Sequence, residues 1–226
     1  MESGQDAGNQ RAGAAPLKGN KVLPRQQRTL PKRNYVIPER IACAILSCVE
    51  EKVMYYSEVK KCDIANGPGV RVTLFVSGCT HHCRGCFNEM TWDFQYGREF
   101  TEEDIDKLIK FLEPSYVAGL TLLGGEPMEY RNQQGLLPLL RKVKEAYPDK
   151  TIWCYTGYLY EKDILENFCG KWEETREMLS YLDVIVDGEF VEELKDISLR
   201  FRGSSNQRII DVKKSRETGK VVLWED

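Results

Sequence analysis

Val70-Arg71-Val72-Thr73-Leu74-Phe75-Val76-Ser77 runs directly into Gly78-Cys79-Thr80-His81-His82-Cys83-Arg84-Gly85-Cys86. The first half has the β-branched and apolar alternation of a buried strand. The second half gathers three of the chain's eight cysteines, spaced CxxxCxxC, and both of its histidines. A loop of metal-binding residue types therefore hangs from the C-terminal end of a strand. In open α/β sheets that is the end at which ligands bind.

The same pattern recurs along the chain. Compact organisation begins near Met54, and Asp63-Ile64-Ala65-Asn66-Gly67-Pro68-Gly69 is rich in turn residues. Thr101 is an N-cap, with Asp104 as a partial capping box, for a helix with Ile105, Leu108, Ile109 and Leu112 on one face and Pro114 at its end. Leu120 to Leu123 is a second strand, running into Gly124-Gly125-Glu126-Pro127. Leu136 to Ala146 is helical, with Pro138 placed in its first turn. Thr151 to Thr156 is a third strand closed by Gly157, and helical segments follow over Tyr160 to Phe168 and Trp172 to Leu182. Asp183 to Val186 is a fourth strand ending in Asp187-Gly188. Arg208 to Val212 and Lys220 to Trp224 read as short strands. Strand, glycine-bearing loop, helix, repeated, predicts an α/β fold with a mostly parallel sheet. The roughly 170 residues from Met54 onward fall short of the ~250 of a full eightfold barrel. A partial TIM-like barrel or open curved sheet is expected, with its glycine loops on one edge.

Bulk properties narrow the class. The chain has 226 residues, 42% of them hydrophobic, enough for one domain with an appended segment. Residues 1–53 are expected to form a disordered or weakly structured extension and residues 54–226 the domain. The first 40 or so residues are dominated by Gly, Ala, Gln, Asn and Pro with scattered Lys and Arg. Ile41 to Leu46 fits either a short helix or a strand. A net charge of −3 and a pI near 5.7 argue against general nucleic-acid binding. No apolar run is long enough to span a bilayer. Ile45-Leu46-Ser47-Cys48 echoes a lipoprotein cleavage box, but its apolar stretch is very short. Without a convincing signal peptide, a cytoplasmic location is expected, where clustered cysteines point to metal or catalysis rather than disulfides.

Three thiolates can hold three corners of a 4Fe-4S cube and leave one iron open, the arrangement a catalytic centre needs. The alternative is a zinc site with His81 or His82 as fourth ligand, but residues so closely spaced do not easily surround one ion. Adjacent histidines in a loop read more simply as polar loop residues. Phe87 is placed to shield the cluster or to pack on a nucleobase. Gly124 and Gly125 let backbone approach a ligand, and Glu126 beside them is positioned to accept from an ammonium group. Taken alone the motif reads better as an ordinary strand-to-helix turn, and it gains force from falling on the same edge as the cysteines. Arg202-Gly203-Ser204-Ser205-Asn206-Gln207 is either a solvated loop or one that grips backbone or carboxylate groups. Cys154 reads as core, and Cys62, Cys154 and Cys169 stand outside the motif.

The cysteine motif with its following aromatic, and the strand ending in Gly-Gly-Glu-Pro, resemble the radical S-adenosylmethionine (SAM) enzymes. Four further stretches narrow the resemblance to the activating enzymes of anaerobic ribonucleoside-triphosphate reductase. They are Asp63 to Arg71, Thr73 to Cys79, Trp153-Cys154-Tyr155-Thr156-Gly157-Tyr158, and Arg202 to Gln207. The resemblance covers about Met54 to Val212. It implies that Cys79, Cys83 and Cys86 bind a 4Fe-4S cluster whose open iron is chelated by SAM. It also implies that Gly85, Cys86, Phe87, Gly124, Gly125 and Glu126 lie against SAM, and that a flavodoxin- or ferredoxin-like donor reduces the cluster. The cofactor then carries the radical chemistry, a 5′-deoxyadenosyl radical taking hydrogen from a backbone glycine of the reductase. Two other readings stay open: an activase of another glycyl-radical enzyme such as pyruvate formate-lyase, and a non-catalytic metal-binding or electron-transfer module.

Overall fold

The computed structural model describes residues 53–225. The expected N-terminal extension and the Ile41 to Leu46 element lie outside them. A seven-stranded mixed sheet runs in the order β3-β1-β2-β4-β5-β6-β7. The strands are β1 (Tyr55–Asp63), β2 (Val70–Val76), β3 (Arg98–Glu99), β4 (Val117–Gly124), β5 (Thr151–Tyr155), β6 (Val184–Asp187) and β7 (Arg208–Asp211). The four central strands β2, β4, β5 and β6 are parallel, and antiparallel ladders join β1, β3 and β7 at the edges. The sheet does not close, because β3 and β7 remain at opposite ends of the order. Sequence reading missed β1, whose mixed polar composition follows from a strand only intermittently buried.

Pleating divides the side chains of β2. Val72, Leu74 and Val76 face the main core, while Arg71, Thr73 and Phe75 face the other way. The main core is covered by helices α1 (Glu102–Leu112), α2 (Tyr130–Ala146) and α3 (Glu173–Tyr181). Helix α1 begins at Thr101, where the capping box is complete in both directions, and buries Ile105, Leu108 and Leu112. Each such fully buried aliphatic contributes about 1.5–3 kcal/mol. Helix α2 starts six residues earlier than its apolar pattern, because Asn132 and Gln133 are buried polar residues that the pattern does not count. Pro138 is therefore interior, a correction to its expected first-turn place, and the helix forgoes one backbone hydrogen bond there. Tyr160–Phe168 is π-helical, with Ile164 N–H donating to the Leu159 carbonyl at 3.2 Å. Helix α4 (Val212–Thr218) follows β7. Instead of a last strand, the C-terminal segment makes one bridge, Leu223 to Ile210.

The opposite face of the sheet carries a second, smaller cluster, Trp153, Val184 and Val186, packed by Tyr155, Phe201, Ile209 and Trp224. Beside it lies a polar interior. Arg71 is fully buried and donates to Thr121 Oγ1 (2.7 Å), Thr151 Oγ1 (2.9 Å) and the Leu120 and Thr151 carbonyls. The turn after β1 is anchored here. Asp63 accepts from Ala65 N–H, Asn66 Nδ2 and Thr73 Oγ1, and Thr121 Oγ1 donates to the Asn66 carbonyl. Burial opposes charge on Asp63, but the hydrogen bonds outweigh it and hold the carboxyl below the usual aspartate range. Asp63→Ala is expected to cost about 2 kcal/mol in urea unfolding at pH 7, because three donors lose one acceptor. Since the folded carboxyl titrates below its unfolded value, the wild type is expected to lose this contribution as pH falls below about 4. The variant's stability is expected to be flatter over the same range.

Candidate functional site

The parallel register brings four strand ends together. Ser77-Gly78-Cys79 follows β2, Gly124-Gly125-Glu126 closes β4, Thr156-Gly157 follows β5 and Gly188 follows β6. One cavity of about 420 Å³ opens among them, within the size range of small-molecule sites. Its wall includes Cys79, Cys83 and Cys86, the residues Gly85, Phe87, Gly124, Gly125 and Glu126, and the Arg202 loop. Of the Arg202 to Gln207 loop, Arg202, Gly203 and Gln207 line the cavity, as does His81 but not His82.

The root of the cysteine loop is stitched to the Gly-Gly-Glu turn. Gly125 N–H donates to the Val76 carbonyl at 2.7 Å and Glu126 N–H to the Gly78 carbonyl at 2.8 Å. So close an approach requires glycine: a Cβ at Gly125 would lie 2.6 Å from the Gly78 carbonyl oxygen. Asn132, on α2, donates through its amide to the carbonyls of Ser77, Gly78 and Glu126. Nothing in the motifs singles out Asn132. Its only trace in the sequence is a polar residue on what becomes a buried helix face.

Glu126 is tied to the loops around it. It is 1% exposed, and its carboxylate accepts from Met128 N–H (2.8 Å), Gly157 N–H (2.7 Å) and His81 Nε2 (3.1 Å). It lines the cavity while holding these three donors. His81 is likewise no plain loop residue. Its Nδ1 meets Glu189 Oε1 at 2.9 Å while its ring packs on Tyr158, with centroids 4.3 Å apart. Burial disfavours the charged ring, but Glu126 and Glu189 outweigh it and lift the pKa to about 9. Gly157 makes room for it, since a Cβ there would sit 2.6 Å from His81 Nε2. His82 points elsewhere and stacks on Trp92.

Among the described residues the six cysteines are all free thiols. Burial pushes the Cys79 thiol up to about 12 and raises Cys83 as well. A thiol so shifted is a poor nucleophile at neutral pH, and a bound cation is what would hold it as thiolate. Asn88 N–H donates to Cys86 Sγ at 3.4 Å. Among the described residues no three His, Cys, Asp or Glu side chains are grouped closely enough to hold a single ion. Phe87 is 86% exposed and lines the cavity beside Cys86. Cys154 is buried in the core as expected, and neither it, Cys62 nor Cys169 lines the cavity.

The Arg202 to Gln207 loop mostly binds itself and its neighbours. Gln207 Oε1 accepts from Gly203 and Ser204 N–H, Gln207 Nε2 donates to the Gly188 carbonyl, and Asn206 Nδ2 donates to the Glu189 carbonyl. Arg84 of the cysteine loop pairs with Glu192 at 3.1 Å and lies 3.6 Å from Glu193. The segment after β6 thus touches the cysteine loop at both His81 and Arg84. His81→Ala is expected to lower stability by about 2 kcal/mol, because it removes two charge-assisted hydrogen bonds, one of them to the buried Glu126. His81→Gln, which keeps one donor, is expected to cost less in the same denaturation measurement.

A family model for a 4Fe-4S single cluster domain matches residues 65–210. Among curated proteins, the anaerobic ribonucleoside-triphosphate reductase-activating protein of Vibrio cholerae is 43% identical over 159 residues, covering 69% of this chain and 97% of the relative. The protein of the same name from Enterobacteria phage T4 is 43% identical over 156 residues, covering 69% and 93%. The Escherichia coli K12 protein is 39% identical over 156 residues, covering 68% and 96%. With one wall of a single cavity built from the CxxxCxxC loop, and relatives matched over nearly their whole length, this chain belongs to the family of anaerobic ribonucleoside-triphosphate reductase-activating proteins.

Proposed function

We propose that this protein is a radical SAM activase that generates the glycyl radical of an anaerobic ribonucleoside-triphosphate reductase. The observation that carries the reading is the meeting of the three free cysteines with the Gly124-Gly125 turn in one cavity at the C-terminal ends of parallel strands. Its relatives are named for activating that reductase. The open sheet is read as the partial barrel of the radical SAM type, formed by a domain of residues 54–226 behind an extension of residues 1–53.

The donor set suits a cluster. Cys79, Cys83 and Cys86 would each hold a different iron of the 4Fe-4S cube, which asks the sulfurs to line a cavity rather than converge on one ion. The shifted Cys79 and Cys83 thiols need such a cation to ionise. Gly85, Cys86, Phe87, Gly124, Gly125 and Glu126 would lie against SAM, all of them lining the cavity. When bound and reduced by a flavodoxin- or ferredoxin-like donor, the cluster and SAM supply one-electron chemistry that ends in hydrogen abstraction from a glycine Cα. The chain's own part is to hold loops and exclude water. Phe87 and Ile197, 86% and 95% exposed, stand at the cavity mouth, and Ile64 (76%) is the neighbour in sequence of the lining residue Ala65. Exposed apolar groups gathered round a cavity suit a protein substrate.

Anaerobic reconstitution tests the reading. The wild type is expected to bind about four iron and four sulfide and to cleave SAM to 5′-deoxyadenosine with dithionite. Cys79→Ala, Cys83→Ala and Cys86→Ala are each expected to lose the cluster. Zinc in place of iron would sink the proposal. Ile197→Glu is expected to leave SAM cleavage intact while lowering the glycyl-radical signal in the reductase by roughly tenfold, the effect of burying one charge at an apolar contact. Replacing the reductase with pyruvate formate-lyase is expected to abolish that signal.

A further inference from the structure

Two walls of the cavity, the cysteine loop and the Gly124-Gly125-Glu126 turn, follow different strands. At their roots they are joined through backbone, Glu126 N–H donating to the Gly78 carbonyl at 2.8 Å. Further out the tie is made by a side chain, that of His81, which sits midway between Cys79 and Cys83 in sequence. Its Nε2 meets Glu126 Oε2 at 3.1 Å, and Gly157 N–H donates to the same oxygen at 2.7 Å. Its Nδ1 meets Glu189 Oε1 at 2.9 Å. Carboxylates only accept, so both ring nitrogens donate, and neither is left for a metal or for a ligand in the cavity. The imidazole side chain is 9% exposed and packs on Tyr158. The loop has other anchors as well: Thr80 N–H donates to Glu129 at 3.2 Å, His82 stacks on Trp92, and Arg84 pairs with Glu192.

We infer that His81 is a positioning residue, which fixes the spacing between the cysteine loop and the Gly124-Gly125-Glu126 turn so that one ligand engages both. The inference rests on the functional reading above. There the cysteine loop holds the cluster, and SAM has to meet the open iron while it lies against the turn. A ligand that bridges two elements binds most tightly when they are already held at the right separation. Thiolates of Cys79, Cys83 and Cys86 suffice to hold the cluster, and the loop keeps its other anchors. Loss of the imidazole therefore acts on SAM rather than on the cluster.

His81→Ala and His81→Gln are tested after anaerobic reconstitution, well below their unfolding temperatures. Iron and sulfide content, SAM affinity by calorimetry, and the change that SAM makes in the EPR spectrum of the reduced cluster are measured. Both variants are expected to carry as much iron as the wild type. His81→Ala is expected to bind SAM about tenfold more weakly, roughly the value of one charge-assisted hydrogen bond, and to show a smaller spectral change at equal SAM concentration. His81→Gln, which keeps one donor, is expected to recover part of that affinity. A residue that served stability alone would leave the SAM affinity of the folded, cluster-loaded protein unchanged, and that result overturns the inference. It is also overturned if the folded variants fail to take up iron, which would place His81 in cluster assembly, or if neither variant folds. Failure of the functional reading would look different, because the wild type itself would then bind no cluster or no SAM.

Discussion

One carboxylate joins three of the four strand ends around the cavity. Glu126 closes β4, receives Gly157 N–H from the end of β5, and receives the His81 ring from the loop after β2. At 1% exposure it cannot exchange those donors for water, so each is worth more than a surface contact would be. The loop after β6 joins through the other nitrogen of His81, which meets Glu189. The four loops that line the site are thereby held to one another by an acid–imidazole–acid bridge, and the cavity keeps its shape before any ligand arrives. Preorganisation of this kind lets binding energy go to the ligand rather than to ordering the loops.

The two faces of the sheet divide the labour. The helix-covered face is apolar and supplies most of the burial. The other face holds Arg71, Asp63, Thr73 and Thr121 in an almost fully paired network that anchors the turn carrying Ala65 and Asn66 into the cavity wall. The three thiols of the cysteine loop stand free at the cavity. The residues that fill the main core and those that line the site are thus different.

Much of this was legible in the sequence, for identifiable reasons. Val70 to Val76, Leu120 to Leu123 and Val184 to Val186 lie in central parallel strands, and near-continuous apolar runs mark such strands clearly. Strand β1 escaped because only Tyr56 and Asp63 of it are buried, so its sequence lacks an apolar signal. Helix α2 was read six residues short because Asn132 and Gln133 are inward but polar, and a hydrophobic pattern cannot see a buried amide that binds backbone. The three cysteines were found by spacing alone. The bonds that Glu126 makes within the chain were not legible, because a carboxylate in a glycine turn looks free until the partners that follow β2 and β5 are in place.

The amino-acid sequence by itself determined the strand–loop–helix order, the cysteine loop at the end of a strand and the family to which the chain belongs, since each rests on local pattern and spacing. Tertiary structure alone decided which side chains are spent and which remain open. Glu126 lost its freedom to Gly157 and His81, residues 31 and 45 positions away. Tyr155 kept its hydroxyl unpaired because nothing from the surrounding strands reaches it. The reason is physical: a strand or helix follows from neighbours in sequence, whereas hydrogen-bond satisfaction is settled only when distant segments share one interior.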